Sequence, residues 1–184
     1  ADYANVADLS FNYDDNGNRN SNGNTPGVDN RQAADSTSTF GYDANGNLTD
    51  EKTGTTVTRH IDYATFNLPT LITKGASSVR FAYDADHQRI KEVNPSGTTI
   101  FVNPGGQLLF EKEIKATVTE YKHYVSTPSG TLAVYSRRSD ASSDTKYLHK
   151  DNLGSVTTVT SGSGTNVGAV LERLSYDAFG KRRN

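Results

Sequence analysis

A histidine, an aspartate and a serine lie close together in the chain, and these are the residue types of a nucleophilic site. They are His149, Asp151 and Ser155. In such a site the histidine takes a proton from the serine, and the carboxylate orients the histidine. No motif places a further group beside them, so the pattern favours structural roles for all three. A hydrolase is the less favoured alternative.

An oxygen-rich loop of the type that binds Ca²⁺ occurs twice. Asp43-x-Asn45-x-Asn47 has its glycine at the fourth place rather than the sixth, and no glutamate stands at the twelfth. The first copy, Asp14-Asp15-Asn16-Gly17-Asn18, carries one more carboxylate and could bind Ca²⁺ weakly. The spacing favours turn capping, so we expect no metal and no cofactor. A flat calorimetric titration with Ca²⁺ would exclude the weak site.

The remaining titratable residues show no spacing that is typical of catalysis. The other histidines stand singly in strand-like or turn-like runs, and the paired carboxylates fall on polar faces or in turns, where solvation is expected. These residues are His60, His87 and His123, and the pairs Glu111/Glu113 and Asp50/Glu51. The sequence therefore predicts that the chain is not an enzyme.

The composition favours short strands and tight turns over helices. Trp, Met and Cys are absent, Gly occurs 16 times, and Tyr (10) and Phe (7) supply most of the large apolar area. Only 33% of the residues are hydrophobic, so the core must be thin. A net charge of −2 gives no basic footprint for nucleic acid. No apolar run reaches the roughly 20 residues of a membrane-spanning helix.

One short string recurs along the chain. Phe11-Asn-Tyr13-Asp14-Asp-Asn-Gly17-Asn18 and Phe40-Gly-Tyr42-Asp43-Ala-Asn-Gly46-Asn47 share six of eight positions. Weaker copies begin at Phe81 and Leu174, and 61–69 is a degenerate unit. The tyrosines at 42, 63 and 83 are 21 and 20 residues apart, so the period is about twenty residues.

Each repeat is predicted to be one β-hairpin. Phe40 and Tyr42 project from the same face of a strand, because strand side chains alternate with a period of two. Asp43 can accept a hydrogen bond from a backbone N–H two residues on, and Gly46 can take the left-handed φ of a type I turn with a G1 bulge. One hairpin alone is marginal in water, so neighbouring hairpins must lie side by side.

The organisation changes near Thr99. Residues 1–98 are predicted to be repeat hairpins, interrupted at 21–38 by a polar insert that is expected to be loop or disordered. Residues 99–184 are predicted to be a meander of six or seven longer strands, with turn signals at Pro104-Gly105-Gly106 and Pro128-Ser129-Gly130. The fold class is therefore all-β, with antiparallel hairpin repeats in a curved or spiralling sheet.

Two stretches resemble the Rhs/YD-repeat family. Tyr42-Asp43-Ala-Asn-Gly46-Asn47-Leu48-Thr49 is similar to the YD repeat of Rhs proteins, of Tc toxin C subunits and of the teneurin shell. The stretch from Tyr147 to Thr160, followed by 171–180, resembles the Rhs repeat-associated core. The residues that carry the motif are Tyr13, Asp14, Gly17, Tyr42, Asp43, Gly46, Tyr83, Asp84, His149, Asp151, Leu153, Gly154, Tyr176, Asp177 and Gly180.

The resemblance implies a sheet that forms part of a hollow shell around a neighbouring polypeptide. The expected partners are then the remaining repeats and the C-terminal region of a parent chain, and the expected location is secreted or on the cell surface of a bacterium. Exposed sheet edges predict self-association. A carbohydrate- or receptor-binding β-module is the alternative, since exposed tyrosines can stack on sugars. No nucleic acid partner and no membrane span are expected.

Overall fold

The fold is all-β, which confirms the predicted class. The computed structural model describes residues 10–21, 23–27, 30–128, 130–177 and 180–183. Its regular structure consists of antiparallel β-strands, with a 3₁₀ turn at Pro104–Gly106. No helix among these residues has the length and hydropathy needed to cross a bilayer. The chain divides into two compact units, residues 1–78 and 79–184, which are described separately.

The first unit is a series of short strands, each antiparallel to the one before it. Its hairpin at 11–20 closes through a bridge between Tyr13 and Arg19. The strands are β1 (Thr25–Pro26), β2 (Gln32–Ala34), β3 (Thr39–Tyr42), β4 (Leu48–Thr53), β5 (Thr56–Tyr63) and β6 (Pro69–Lys74). The polar insert 21–38 therefore contains two short strands where the sequence predicts loop.

The second unit is a meander of longer strands in chain order. The last seven of them cover the region in which the sequence predicts six or seven strands. The strands are β7 (Ser77–Tyr83), β8 (Arg89–Asn94), β9 (Gly97–Val102), β10 (Phe110–Ile114), β11 (Thr119–Thr127), β12 (Gly130–Arg138), β13 (Ser143–Lys150), β14 (Val156–Ser161) and β15 (Val170–Arg173). The second unit begins at the third residue of β7.

The core of each unit is thin, as the composition predicts. Within a unit the strands contact their chain neighbours, so burial comes from adjacent strands rather than from a second layer. Among the described residues only Ile61, Ala133, Val159, Ser38 and Ser136 are buried. The boundary that the sequence predicts at residue 98 marks the end of the hairpin repeats, whereas the division at residue 78 separates compact units. The boundary at residue 98 therefore stays a prediction.

Candidate functional site

The repeat turns share one backbone geometry. The fourth residue of each turn donates its N–H to the carbonyl of the first, over 3.0 Å from Gly17 to Asp14 and 3.1 Å from Gly46 to Asp43. The N–H of the first residue also donates to the carbonyl of the fifth residue, over 2.9 Å in the turn at Asp14 and 3.0 Å in the turn at Asp43. The same pair of bonds closes the turns that begin at Ala64, Asp84, Asp151 and Asp177. This is the predicted type I turn with a G1 bulge.

The first aspartate of the turn caps it with its carboxylate. Asp43 Oδ1 accepts the N–H groups of Asn45 (2.9 Å) and Asn47 (2.8 Å), and its Oδ2 accepts the Asn47 amide at 2.9 Å. The pKa of Asp43 is lowered, first by that side-chain hydrogen bond from Asn47. Asp14, Asp84, Asp151 and Asp177 accept the N–H of the fifth turn residue in the same way.

The fourth turn position requires a left-handed backbone. Gly17, Gly46 and Gly154 have φ of 80°, 87° and 88°, and Gly180 has 80°. A Cβ on Gly17 or Gly154 would meet nothing within 4 Å, so the glycines are needed for their backbone conformation and not for space. In the two turns without glycine, Asn67 and His87 take the position at φ 60° and 61°.

Side-chain amides tie one turn to the next in the first unit. Asn47 Nδ2 donates to its own cap, Asp43, and also to Asn67 Oδ1 at 2.9 Å. Asn45 Nδ2 donates to the same Asn67 oxygen at 3.1 Å. The earlier copy repeats the arrangement, because Asn18 Nδ2 donates to Asp14 and to Asn30 Oδ1. Sequence reasoning missed these ties.

The repeat tyrosines tie neighbouring hairpins through their hydroxyl groups. The hydroxyl of Tyr63 donates to the Leu48 carbonyl at 2.9 Å, and that of Tyr42 donates to the Gln32 carbonyl at 2.7 Å. Tyr176 reaches the Val156 carbonyl at 3.2 Å. Burial raises the pKa of Tyr63, and the charge of Asp43 adds to the rise. Each tyrosine therefore carries both apolar area and a cross-hairpin hydrogen bond.

The structure gives His149 and Asp151 separate partners. His149 lies on β13, and its Nε2 is 2.9 Å from Thr160 Oγ1 on β14. Asp151 Oδ1 accepts the N–H groups of Leu153 and Ser155, both at 2.9 Å. The carboxylate therefore caps a turn instead of orienting the histidine. Leu153 is 85% exposed at the tip of that turn.

A histidine held by two carboxylates is a feature that sequence reasoning did not find. Asp50 Oδ1 lies 2.8 Å from His60 Nδ1, and Asp62 Oδ1 lies 3.1 Å from His60 Nε2. The hydrogen bond to Asp50 raises the pKa of His60 first, and that to Asp62 second. The two ring nitrogens point in opposite directions, so the carboxylates do not converge on one point. Among the described residues no group of side chains is placed to hold a metal ion.

A shallow pocket of about 410 Å³ lies beside the Phe40 and Tyr42 pair of the first unit. The Arg31 guanidinium stands 5.3 Å from the centroid of the Tyr42 ring on its wall. Asp43 also lines it, but both of its carboxylate oxygens accept hydrogen bonds within the turn. The pocket therefore offers an aromatic wall and a cation already in contact with it.

One face of the second unit carries a network of ion pairs. Lys122 Nζ lies 3.1 Å from Glu113, 3.6 Å from Glu111 and 3.9 Å from Glu120. Arg138 pairs with Glu120 at 2.8 Å and with an aspartate on β13. Burial would raise the pKa of Glu113, yet hydrogen bonds from two lysines bring it below its ordinary value. The prediction of solvated Glu111 and Glu113 was wrong, because register places Lys122 beside them.

The opposite face of the second unit carries aromatic rings. The His123 ring is 5.0 Å from the centroid of Phe110 on β10 and 6.1 Å from that of Tyr135 on β12. Tyr121 lies two residues before His123 on β11. Its ring stands between Lys112 Nζ, 5.8 Å from the ring centroid, and the Arg137 guanidinium, 5.3 Å from it. We call this surface the aromatic face.

The fold is similar to part of a solved toxin structure. The pore form of the Photorhabdus luminescens Tc holotoxin matches 79% of this chain with a TM-score of 0.54 and 11% identity. A complex of TcdB2, TccC3 and Cdc42 matches 79% with a TM-score of 0.40 and 11% identity. The chain spans 10% and 11% of those chains. No family model and no curated protein sequence matches it. The predicted resemblance to Tc toxins is thus confirmed for the fold.

Proposed function

We propose that this chain is a structural segment of a larger polypeptide, built to hold or display a neighbouring polypeptide, and that it is not catalytic in isolation. The observation that carries the proposal is the turn-to-turn tie from Asn47 to Asn67, repeated from Asn18 to Asn30. Such ties join hairpins that are marginal alone into a continuous surface. The fold similarity to part of a toxin chain supports it.

The chemistry of the repeat residues supports a scaffold rather than a reaction. The carboxylates of Asp14, Asp43 and Asp151 are occupied by hydrogen bonds from their own turns. A general base or nucleophile needs a free lone pair aimed at a substrate. These side chains therefore serve to stabilise the geometry of the turns.

The sheet edge offers the means to join a parent chain. β15 pairs with β14 on one side, and its other side has no strand partner among the described residues. An open edge presents N–H and C=O groups to any further strand. The remaining repeats of the parent polypeptide are therefore the proposed partners. We place that parent outside the bacterial cell or on its surface, by analogy with the toxin.

Self-association of the isolated chain tests the edge. Light scattering over a range of concentrations should show dimers or larger species that dissociate on dilution. Leu171 lies on β15 with 53% of its surface exposed, and Leu171→Lys should reduce the association by placing a charge on the edge. Leu132→Lys is the matched control, because Leu132 is 49% exposed on β12, which already has strand partners on both sides.

The holding role is tested in the parent polypeptide. Limited proteolysis should cleave the neighbouring polypeptide more slowly when this segment is present than when it is deleted. A chain that stays monomeric at all concentrations, together with unchanged proteolysis, would contradict the proposal.

A further inference from the structure

Charge is sorted between the two faces of the second unit. Residues opposite one another in paired strands project from the same face, so the register assigns each side chain to a face. The strand carboxylates all lie on the ion-paired face: Glu92, Glu111, Glu113, Glu120, Asp144 and Glu172. The aromatic face has only cations among its charged strand residues from β7 to β13: Arg80, Lys91, Lys112 and Arg137.

The cations of the aromatic face have no carboxylate partner within the described part of the chain. Lys112 and Arg137 instead stand on either side of the Tyr121 ring. Cations that face solvent over an aromatic ring remain able to bind an anion. The face is therefore complementary to negative charge.

Exposed apolar side chains lie beside the rings and cations of this face. Val102 is 46% exposed, Val125 53%, Tyr135 40% and Tyr147 41%, and Ile100 lies among them at 37%. Strand register puts them on the same face as Phe110. Contiguous exposed apolar residues of this kind mark an interaction site. Aliphatic side chains fit the apolar side chains of a polypeptide better than the polar surface of a sugar or a phosphate backbone.

The rings and the cations form two rows that cross the strands. Phe110, His123 and Tyr135 make one row, and Lys112, Tyr121 and Arg137 make the other. The rows are two residues apart along each strand, or roughly 6.7 Å. Alternate side chains of an extended peptide repeat at the same distance. A peptide that runs along the strands can thus place one side chain on each row.

We propose that the aromatic face binds an extended acidic segment of polypeptide in which an apolar residue is followed two residues later by a carboxylate. The apolar residue packs on the row of Phe110, His123 and Tyr135. The carboxylate lies over Tyr121 between Lys112 and Arg137. This inference rests on the proposed function, because it names the chemistry of the polypeptide that the segment holds.

Fluorescence anisotropy with labelled synthetic peptides tests the assignment on the whole chain. The probe repeats the four residues leucine, serine, glutamate and serine, so that each glutamate follows a leucine by two residues. Its glutamine counterpart has the same shape without charge, and its lysine counterpart has the opposite charge. We expect the glutamate peptide to bind at least about fivefold more tightly than the glutamine peptide and to weaken with added salt.

Two lysine variants provide the matched comparison. Lys112→Gln removes a cation from the aromatic face and should weaken the glutamate peptide about two- to fivefold. Lys146→Gln removes the same charge from the other face, where Lys146 lies 3.9 Å from Asp144, and should leave binding unchanged. Circular dichroism checks that both variants are folded.

Several outcomes would overturn the inference. Equal binding of the glutamate and glutamine peptides, or equal loss in the two lysine variants, would contradict the role of the cations. Tighter binding of a sulfated oligosaccharide or of single-stranded oligonucleotide, lost in Lys112→Gln, would replace the polypeptide by another anion. If the peptide result fails while Leu171→Lys still reduces self-association, the proposed structural function stands and only this inference falls.

Discussion

Replacing Gly46 by alanine measures how much the left-handed turn position contributes to stability. Gly46 has φ 87°, and a Cβ there would meet only the Arg31 side chain, at 3.6 Å, which is ordinary contact. The cost therefore comes from the backbone alone, at about 1 to 2 kcal/mol for a left-handed non-glycine residue. Urea unfolding followed by far-UV circular dichroism measures this as a lower unfolding midpoint with an unchanged slope.

Two controls in the same hairpin isolate the cause. Gly46→Asn should stay closer to wild type than Gly46→Ala, because Asn67 holds φ 60° at the corresponding position of the next turn. Gly41→Ala should have the opposite sign and stabilise by roughly 0.5 to 1 kcal/mol, since Gly41 lies within β3 and a Cβ would meet Asp50 at an ordinary 3.5 Å. Wild-type stability in Gly46→Ala, or equal losses in the alanine and asparagine variants, would refute the reasoning.

Three further predictions concern side chains around the first-unit turns. The pKa of His60 is raised and that of Asp50 is lowered, in each case chiefly by the hydrogen bond between them. The pair therefore contributes fully to stability between the ordinary pKa values of 3.8 for Asp50 and 6.5 for His60, and this contribution is lost as pH rises through the raised pKa of His60. His60→Gln should thus lower the urea midpoint more at about pH 5.5 than at about pH 8.5, and equal losses would contradict this. Asn67→Gly keeps the left-handed backbone but removes the acceptor of two amides, and it should cost about 1 kcal/mol in the same assay, whereas an unchanged midpoint would show that the tie is energetically silent. The lowered pKa of Asp43, caused first by the amide of Asn47, means that its contribution is lost as pH falls below 3.8, so Asp43→Asn should flatten the acid unfolding curve, and an unchanged curve would exclude that role.

The repeat turns could be predicted from the sequence because their determinants are local. Asp43 and Gly46 lie three residues apart, and together they specify the capping bonds and the sign of φ. The same logic gave the strands of the second unit from their alternation. Asn67 was harder to predict, since that unit lacks both the aspartate and the glycine and only its place in the period marks it as a turn.

The contacts between strands could not be predicted, because they depend on bulges. The turn after Thr53 pairs it with Thr56, and an unbroken register would then place Asp50 opposite Arg59. A bulge between Glu51 and Lys52 shifts the pairing by one residue and brings Asp50 opposite His60 instead. No local signal in the sequence marks that bulge.

The sorting of charge in the second unit was missed for a related reason. Alternation shows that Glu111 and Glu113 share a face, but not which residues of β11 lie beside them. The register that pairs Glu111 with Lys122 makes these glutamates part of an ionic network. The same register brings Tyr121 between two cations on the other face.

The order of the strands has a consequence for how each unit acquires its structure. Within each unit every strand after the first pairs with the one that precedes it, so paired residues are close in sequence, as with Thr53 and Thr56 or Phe40 and Glu51. Low contact order of this kind favours rapid folding, because little loop entropy is lost before each pairing forms. During synthesis each new strand can pair with the preceding strand, which has already left the ribosome, so a unit can fold strand by strand as the chain lengthens.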